Sequence, residues 1–240
     1  MISIVIPAKN EAANLPALLD EIETAMAGHE FEVIVVDDGS TDGTGEMLTT
    51  ERRKRKWQLR QIRHDRSSGK SLALRTGFIA ARGKIVATLD ADGQNDPKYV
   101  NALIDALQGA GPAVVLAAGR RLGRKHSALK NLASSIANSI RAALLGDSTP
   151  DSACGLKAGH TDVLRRLPYF EGAHRFLPAL VKQEGFDTVH VEVVDRPRMH
   201  GSSHYGIWDR GIRGLFDLIG VAWLQRRRKH MPIAEEITDD

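Results

Sequence analysis

The chain has 240 residues, 42% of them hydrophobic and 26% charged, with a formal net charge of +3. A chain of this size and composition buries a core, as one large α/β domain or a domain with an appendage, and its near-neutral balance excludes a global field that dictates the partner. The single cysteine, Cys154, excludes an internal disulfide, and no run of about 18 apolar residues offers a bilayer-spanning helix.

The chain enters a β-rich run at once, ISIVI (Ile2–Ile6), which reads as no signal peptide; with one cysteine, this fits a reducing compartment. The stretch Glu11–Met26 follows, with Leu15, Leu18, Leu19, Ile22 and Met26 at helical spacing. FEVIVV (Phe31–Val36) is the next strand, and STDGTGEMLTTE opens with a helix cap. WQLRQIR (Trp57–Arg63) is a weaker strand, and SSGKSLALRTGFIAA reads as a helix. KIVATL (Lys84–Leu89) and AVVLAA (Ala113–Ala118) are strands that flank a helix at Pro97–Leu107. Strands alternating with helices predict a parallel, doubly wound sheet with its ligand site beyond the carboxyl ends of the strands. That rule puts Pro7–Glu11, Asp37–Asp42 and Asp90–Asp96 on one rim. The second half is less regular: a helix over Ala128–Leu145, a short strand at CGLKA, an alternating strand at Phe186–Val194, and a helical end from Tyr205 to Lys229.

Four stretches carry chemistry. DADGQ places Asp90, Asp92 and Gln94 at alternate positions, which face one side in extended backbone, with Gly93 free to bend the path. Two carboxylates and an amide oxygen are a hard oxygen set suited to Mg²⁺ or Mn²⁺; read alone, the same stretch is a solvated acidic turn. The third carboxylate, Asp96, precedes Pro97 and is assigned to capping the next helix. In VVDDGSTDGT, Asp37 and Asp38 end a strand, where a carboxylate accepts from a base or a ribose hydroxyl, or else forms a capped polar turn. DRPRMHGSSHYG surrounds a Gly-Ser-Ser hinge with Arg196, Arg198, His200 and His204, a set suited to capturing a phosphate or simply to solvation. Finally, Trp208, Phe216 and Trp223 precede a basic cap, as in an interfacial helix on anionic lipid or a core-packed terminal helix, and Arg52–Lys56 reads as a solvated face. Two phosphate motifs fail: HDRSSGKS has His64 where a P-loop needs glycine, and GTGEML lacks the last glycine of the dinucleotide fingerprint.

Taken in order, VIPAKNE, VVDDGSTDGT, TLDADGQ, AAGRR, SSIAN, CGLKA, HRFLPAL and RPRMHGSSHYG resemble family-two GT-A glycosyltransferases, and among them the polyprenyl-phosphate sugar transferases of the dolichol-phosphate mannosyltransferase type. The resemblance runs to about Lys229. It implies a Rossmann-like nucleotide-sugar-binding sheet flanked by helices over 1–204, followed by a helical, membrane-facing extension over 205–240. It further implies inverting transfer of a sugar from a nucleotide diphosphate sugar, GDP-mannose or a UDP-hexose or uronate, to a polyprenyl phosphate. The setting would be cytoplasmic, peripheral at the inner face of the cytoplasmic membrane. By position, Pro7, Lys9, Glu11, Asp38 and Asp90 line the nucleotide sugar; Asp90, Asp92 and Gln94 hold Mg²⁺ or Mn²⁺; Arg121 meets the donor diphosphate; and Lys130, Ser134, Arg198 and His204 meet the acceptor phosphate. Asp92, Arg121 and Arg198 are the expected catalytic groups. Lys9 replaces an aromatic residue common in relatives, Lys130 an arginine, and His204 a lysine.

The implied chemistry is self-consistent. Developing charge on a leaving diphosphate needs a counter-charge, which a metal on Asp90 and Asp92 together with Arg121 supplies. A phosphate monoester, with a second pKa near ~6, is already an anionic nucleophile at neutral pH and requires no general base. It requires cations that hold it in line, for which Lys130 and Arg198 are candidates. A hydroxyl acceptor of glycan or lipid would need a carboxylate base instead, and Asp151 in TPDSACG is then the candidate. A third reading, a basic nucleic-acid- or membrane-binding protein, draws on the pI of about 9.1, but the acids gathered on the ligand rim oppose nucleic acid. A membrane-protein partner or a homo-oligomer is a further expectation.

Overall fold

The computed structural model describes residues 1–122, 140–147, 149–197 and 207–227. Seven strands form one sheet: β1 (Ile2–Ala8), β2 (Phe31–Asp37), β3 (Gln58–Arg63), β4 (Ile85–Thr88), β5 (Val114–Arg121), β6 (Lys157–His160) and β7 (Asp187–Val193). The helices are α1 (Leu15–Ala25), α2 (Thr44–Lys54), α3 (Lys70–Ala80), α4 (Tyr99–Gly109), α5 (Thr161–Arg166), α6 (Leu177–Gln183) and α7 (Ile207–Arg227), and residues 140–145 are also helical. α1 starts at Leu15, where its apolar spacing begins rather than at Glu11, because Pro16 suits the first turn and has no amide hydrogen to place deeper in a helix.

Strand alternation divides the core between the two faces of the sheet. Ile4, Ile6, Val33 and Val35 face α1 and α4, against Leu15, Leu19, Leu103 and Leu107. Val5, Ile34 and Val36 face the other way, against Leu74 and Phe78 of α3 and the α5–α6–α7 side. Near-continuous apolar strands such as VIVV are what a sheet covered on both faces demands.

The sheet order is β3-β2-β1-β4-β6-β5-β7, and the parallel expectation needs one correction. β6 runs antiparallel to both β4 and β5, between which it is inserted. β5 leaves the sheet at the rim and β6 re-enters from that rim, so no crossover turns the chain around. The rim therefore gathers the carboxyl ends of β1, β2, β4, β5 and β7 and the amino end of β6. Residues 154–157 reach the site by this reversal. β6 also begins later than the CGLKA stretch suggested, and β5 runs on through Arg121, so that arginine is a strand residue rather than part of a loop.

α7 packs Leu218, Val221 and Ala222 inward, while Leu215, Phe216, Ile219 and Trp223 stay exposed. Asp217, which interrupts the apolar run, faces the fold and pairs with Arg175 at 3.0 Å. The basic run Arg52–Lys56, at the end of α2, is exposed as expected at every position but Arg55. Arg55 is buried among Asp20, Glu23 and Glu51, at 2.5, 3.0 and 2.7 Å.

Candidate active site

The loops after β1 and β2 are sewn together by side chains. Asn10, in left-handed backbone that asparagine tolerates, donates its amide to Ser40 Oγ at 2.9 Å and accepts from the Thr41 amide at 2.9 Å. Asp42 accepts from the Ala12 and Thr44 amides, each at 3.1 Å, so it braces the start of α2 and the neighbouring loop together. Glu11 accepts from Asn14 Nδ2 at 2.6 Å, and its amide donates to Thr44 Oγ1 at 3.1 Å. Pro7 sits half-buried at the end of β1, and exposed Lys9 donates to Ser67 Oγ at 2.9 Å.

Asp38 organises the loop across from them. Its carboxylate accepts from His64 Nδ1 at 2.7 Å, Ser67 Oγ at 2.9 Å, and the amides of Ser68 and Gly69 at 2.9 Å. Burial alone would raise its pKa, but these donors hold it below the usual carboxylate range. Gly69, at φ +88°, turns the chain into α3, whose first residue is Lys70. Asp38 thus sets the position from which Lys70 reaches across the rim.

Lys70 Nζ meets Asp90 Oδ1. Burial pushes the Asp90 pKa up, while Lys70 and buried Lys157 pull it lower still, with a net shift downward. Gly155, at the approach to β6, lies against the Asp90 carboxylate, and a Cβ there would stand 2.5–2.7 Å from its atoms. Thr88 Oγ1 fixes that contact by donating to Gly155 O at 2.6 Å. Lys157 donates to Cys154 O, and burial pushes its pKa down to about 8. Nearby, His174 bonds Ser71 Oγ at 2.7 Å, and burial, with Lys70 and Lys157 alongside, pushes it down to about 3.

That shift has a sign in stability. Between pH 6.5 and about 3 the unfolded chain binds a proton at His174 that the folded chain does not, so this contribution is lost as pH falls through that window. His174→Gln should therefore lose less melting temperature than the wild type between pH 7 and 4. Parallel slopes would show that His174 is not held neutral.

Asp92 is buried and its Oδ1 accepts from the Gln94 amide at 3.1 Å, so the two predicted ligands share one tight turn. Asp96 Oδ1 accepts from the Lys98 amide at 3.0 Å; it braces the turn that feeds α4 and takes no part in the seat, although the cap residue itself is Lys98. Among the described residues, no three His, Cys, Asp or Glu side chains converge as a metal cage. Two carboxylates on a rim, one kept clear by glycine and already holding an ammonium, fit a hard cation that takes its remaining ligands from water and substrate phosphate.

Arg121 is gripped from two sides. Its Nε and Nη2 each donate to Asp151 at 2.6 Å, and Nη1 donates to Asp195 at 3.4 Å. Asn95 ties this group to the Asp90 turn: its Oδ1 accepts from the Asp90 amide at 3.1 Å, and its Nδ2 donates to Asp195 at 3.4 Å. The Arg196 amide donates to Gln94 O at 2.9 Å, while its guanidinium binds Glu21 at 2.6 and 3.1 Å. Arg196, read from the sequence as part of a phosphate-capturing set, is therefore an internal ion pair.

The structure brings Pro7, Lys9, Glu11, Asp38, Asp90, Asp92, Gln94 and Arg121 to one rim; Lys130, Ser134, Arg198 and His204 lie outside the described residues. Sequence reasoning missed Lys70, Asn95, Gly155, Lys157, His174 and Asp195. Lys70 had a signal, a lysine at the start of a helix on the ligand rim, which was set aside with the rejected P-loop.

Comparison with known proteins agrees with this architecture. The family described as glycosyl transferase family 2 matches residues 3–167. The dodecaprenyl-phosphate galacturonate synthase of Rhizobium johnstonii is 32% identical over 233 residues, covering 94% of this chain and 67% of that protein. The undecaprenyl-phosphate 4-deoxy-4-formamido-L-arabinose transferase of Aeromonas hydrophila subsp. hydrophila is also 32% identical, over 91% of this chain and 67% of its own length. The chain thus spans about two thirds of these relatives. Among solved structures, glucosyl-3-phosphoglycerate synthase from Mycobacterium tuberculosis, in complex with Mn²⁺, UDP and phosphoglyceric acid, superposes with a TM-score of 0.69 at 22% identity, covering 94% of this chain and 78% of that one. The sheet order, the acidic rim and the family match converge on one assignment: the chain belongs to glycosyl transferase family 2 and is a glycosyltransferase of the GT-A fold.

Proposed function

We propose that this glycosyltransferase moves a sugar from a nucleotide diphosphate sugar to a polyprenyl phosphate, with inversion. The observation that carries the proposal is the Asp90–Asp92 turn at the carboxyl end of β4, in a chain whose relatives are named for dodecaprenyl- and undecaprenyl-phosphate sugar transfer. Asp90 and Asp92, with Gln94, are the residues that would hold Mg²⁺ or Mn²⁺. A divalent cation there supplies Lewis-acid charge to the leaving diphosphate. Arg121, held on the rim by Asp151 and Asp195, would meet the same leaving group with its remaining N–H donors. Pro7, Lys9, Glu11 and Asp38 form the nucleoside side, and Lys130, Ser134, Arg198 and His204 the acceptor side.

A hydroxyl acceptor is the second reading, and it fares worse. Its candidate base, Asp151, spends both carboxylate oxygens on Arg121. A phosphate nucleophile needs no such base. The decisive experiment incubates the full chain with a panel of GDP- and UDP-sugars, a polyprenyl phosphate and Mg²⁺ or Mn²⁺, and identifies the lipid product by mass spectrometry. An acid-labile sugar phosphodiester supports the reading. Transfer only to hydroxyl acceptors would overturn it.

The catalytic unit is proposed to be 1–204, with 205–240 resting on the inner face of the cytoplasmic membrane. Leu215, Phe216, Ile219 and Trp223 are exposed on α7, and Arg226 and Arg227 follow them, the arrangement of an interfacial helix on anionic lipid. Among the described residues, no helix is long and apolar enough to cross a membrane. Phe216→Ser with Trp223→Ser should reduce co-sedimentation with anionic vesicles several-fold while leaving the melting temperature near wild type. Unchanged co-sedimentation would remove α7 from the contact.

A further inference from the structure

Asp90 is not an open seat. Its Oδ1 is taken by the Lys70 ammonium, and a second buried ammonium, that of Lys157, acts on the same carboxylate. His174 adds no charge at neutral pH. Arg121 is already matched by Asp151 and Asp195, so it does not supply the counter-charge to Asp90. Two ammonium groups thus act on the one Asp90 carboxylate, so its charge is already compensated before any cation arrives. A divalent cation entering alone must displace Lys70 and would sit beside two ammonium groups in a partly buried site, where such repulsion is weakly screened. A diphosphate brings negative charge that offsets the cation and offers the freed ammonium a new partner.

We propose that Lys70 is a built-in counter-ion of the Asp90–Asp92 seat, which closes the seat to free divalent cations and opens it only as a nucleoside diphosphate arrives. The inference rests on the reading of Asp90 and Asp92 as a metal seat. Its position supports this role: Lys70 is the first residue of α3, placed by the Asp38-bound amides of Ser68 and Gly69, so it reaches Asp90 from a fixed base. Its side chain is one-third exposed, so it has room to swing from Asp90 toward a ligand on the rim. Binding of cation and nucleotide is then linked, each strengthening the other by the same factor.

The test measures protein-retained Mn²⁺ by equilibrium dialysis, with the full chain at one pH, alone and with UDP or GDP, after subtracting the Mn²⁺ held by the same nucleotide without protein. Wild type should bind Mn²⁺ weakly alone and roughly 5- to 150-fold more tightly with the diphosphate, the usual range for linked ligands. Lys70→Met should bind Mn²⁺ alone at least about fivefold more tightly than wild type and show a smaller gain with the diphosphate. Lys70→Gln serves as a second neutral variant, and Lys70→Arg, which keeps the charge, should behave like wild type. If Lys70→Met and Lys70→Gln bind Mn²⁺ alone no more tightly than wild type, the counter-ion role is overturned, even if both lose affinity for the diphosphate. Asp92→Asn separates this from failure of the underlying reading. Mn²⁺ binding in the presence of diphosphate that survives Asp92→Asn overturns the metal seat itself, and the proposal with it.

Discussion

Asp92→Asn should lower sugar transfer by roughly 10²- to 10³-fold with the fold intact, because it removes one of the two anionic ligands that tie a cation to the leaving diphosphate. Asparagine keeps the shape and can still accept from the Gln94 amide, the 3.1 Å bond that shapes the turn. The loss should therefore fall on turnover and metal affinity rather than on stability. Steady-state kinetics across a Mn²⁺ titration, with a melting curve on the same sample, checks both parts. Activity within a few-fold of wild type at every metal concentration would sink the assignment of Asp92. A large drop in melting temperature would recast the residue as structural.

Gly155→Ala should be nearly as damaging, although it alters no charge. The new Cβ would stand 2.5 Å from Asp90 Oδ2 and 2.7 Å from Oδ1, closer than carbon and oxygen tolerate. The backbone at Gly155 is not in the left-handed region, so alanine brings no conformational strain and the clash is the whole perturbation. Thr88 holds the Gly155 carbonyl at 2.6 Å, which leaves the Asp90 carboxylate as the group that yields. Displacing a reacting-site group by about an ångström costs ~10²-fold in rate. The measurement is kcat together with Mn²⁺ affinity in the presence of a nucleoside diphosphate, and both should fall. Wild-type values for both would show that the carboxylate rotates aside without consequence.

Most of the first half was legible in the sequence because its information is local. Alternating apolar runs and helical spacing place β1 through β4 and α1 through α4 without reference to distant residues, and the switch from strand to loop at Ala8, Asp37 and Thr88 puts the acids on one rim. The direction of β6 was not legible. Four residues, Lys157–His160, carry no signal for parallel or antiparallel pairing; the point of re-entry into the sheet decides it. Everything that depends on this reversal was hidden with it: Gly155 against Asp90, buried Lys157, and the grip of Asp151 on Arg121. Arg121 itself was found by its motif, but its two acidic partners lie 30 and 74 residues away along the chain. Arg196 failed for the opposite reason. Its neighbours along the chain suggested a free basic loop, and only the folded structure brings Glu21 beside it.

The insertion of β6 between β4 and β5 also makes one short strand the joint between two parts of the sheet. β1, β2, β3 and β4 come from the first 88 residues and pair with one another, so this half can assemble from comparatively short-range contacts. Without residues 157–160, β4 keeps an unpaired edge and β5 has no bridge to the rest of the sheet. Asp90 then lacks the glycine wall that confines it. The carboxylate seat is therefore walled by a residue from the far half of the chain, and it is complete only where the two halves of the sheet are joined.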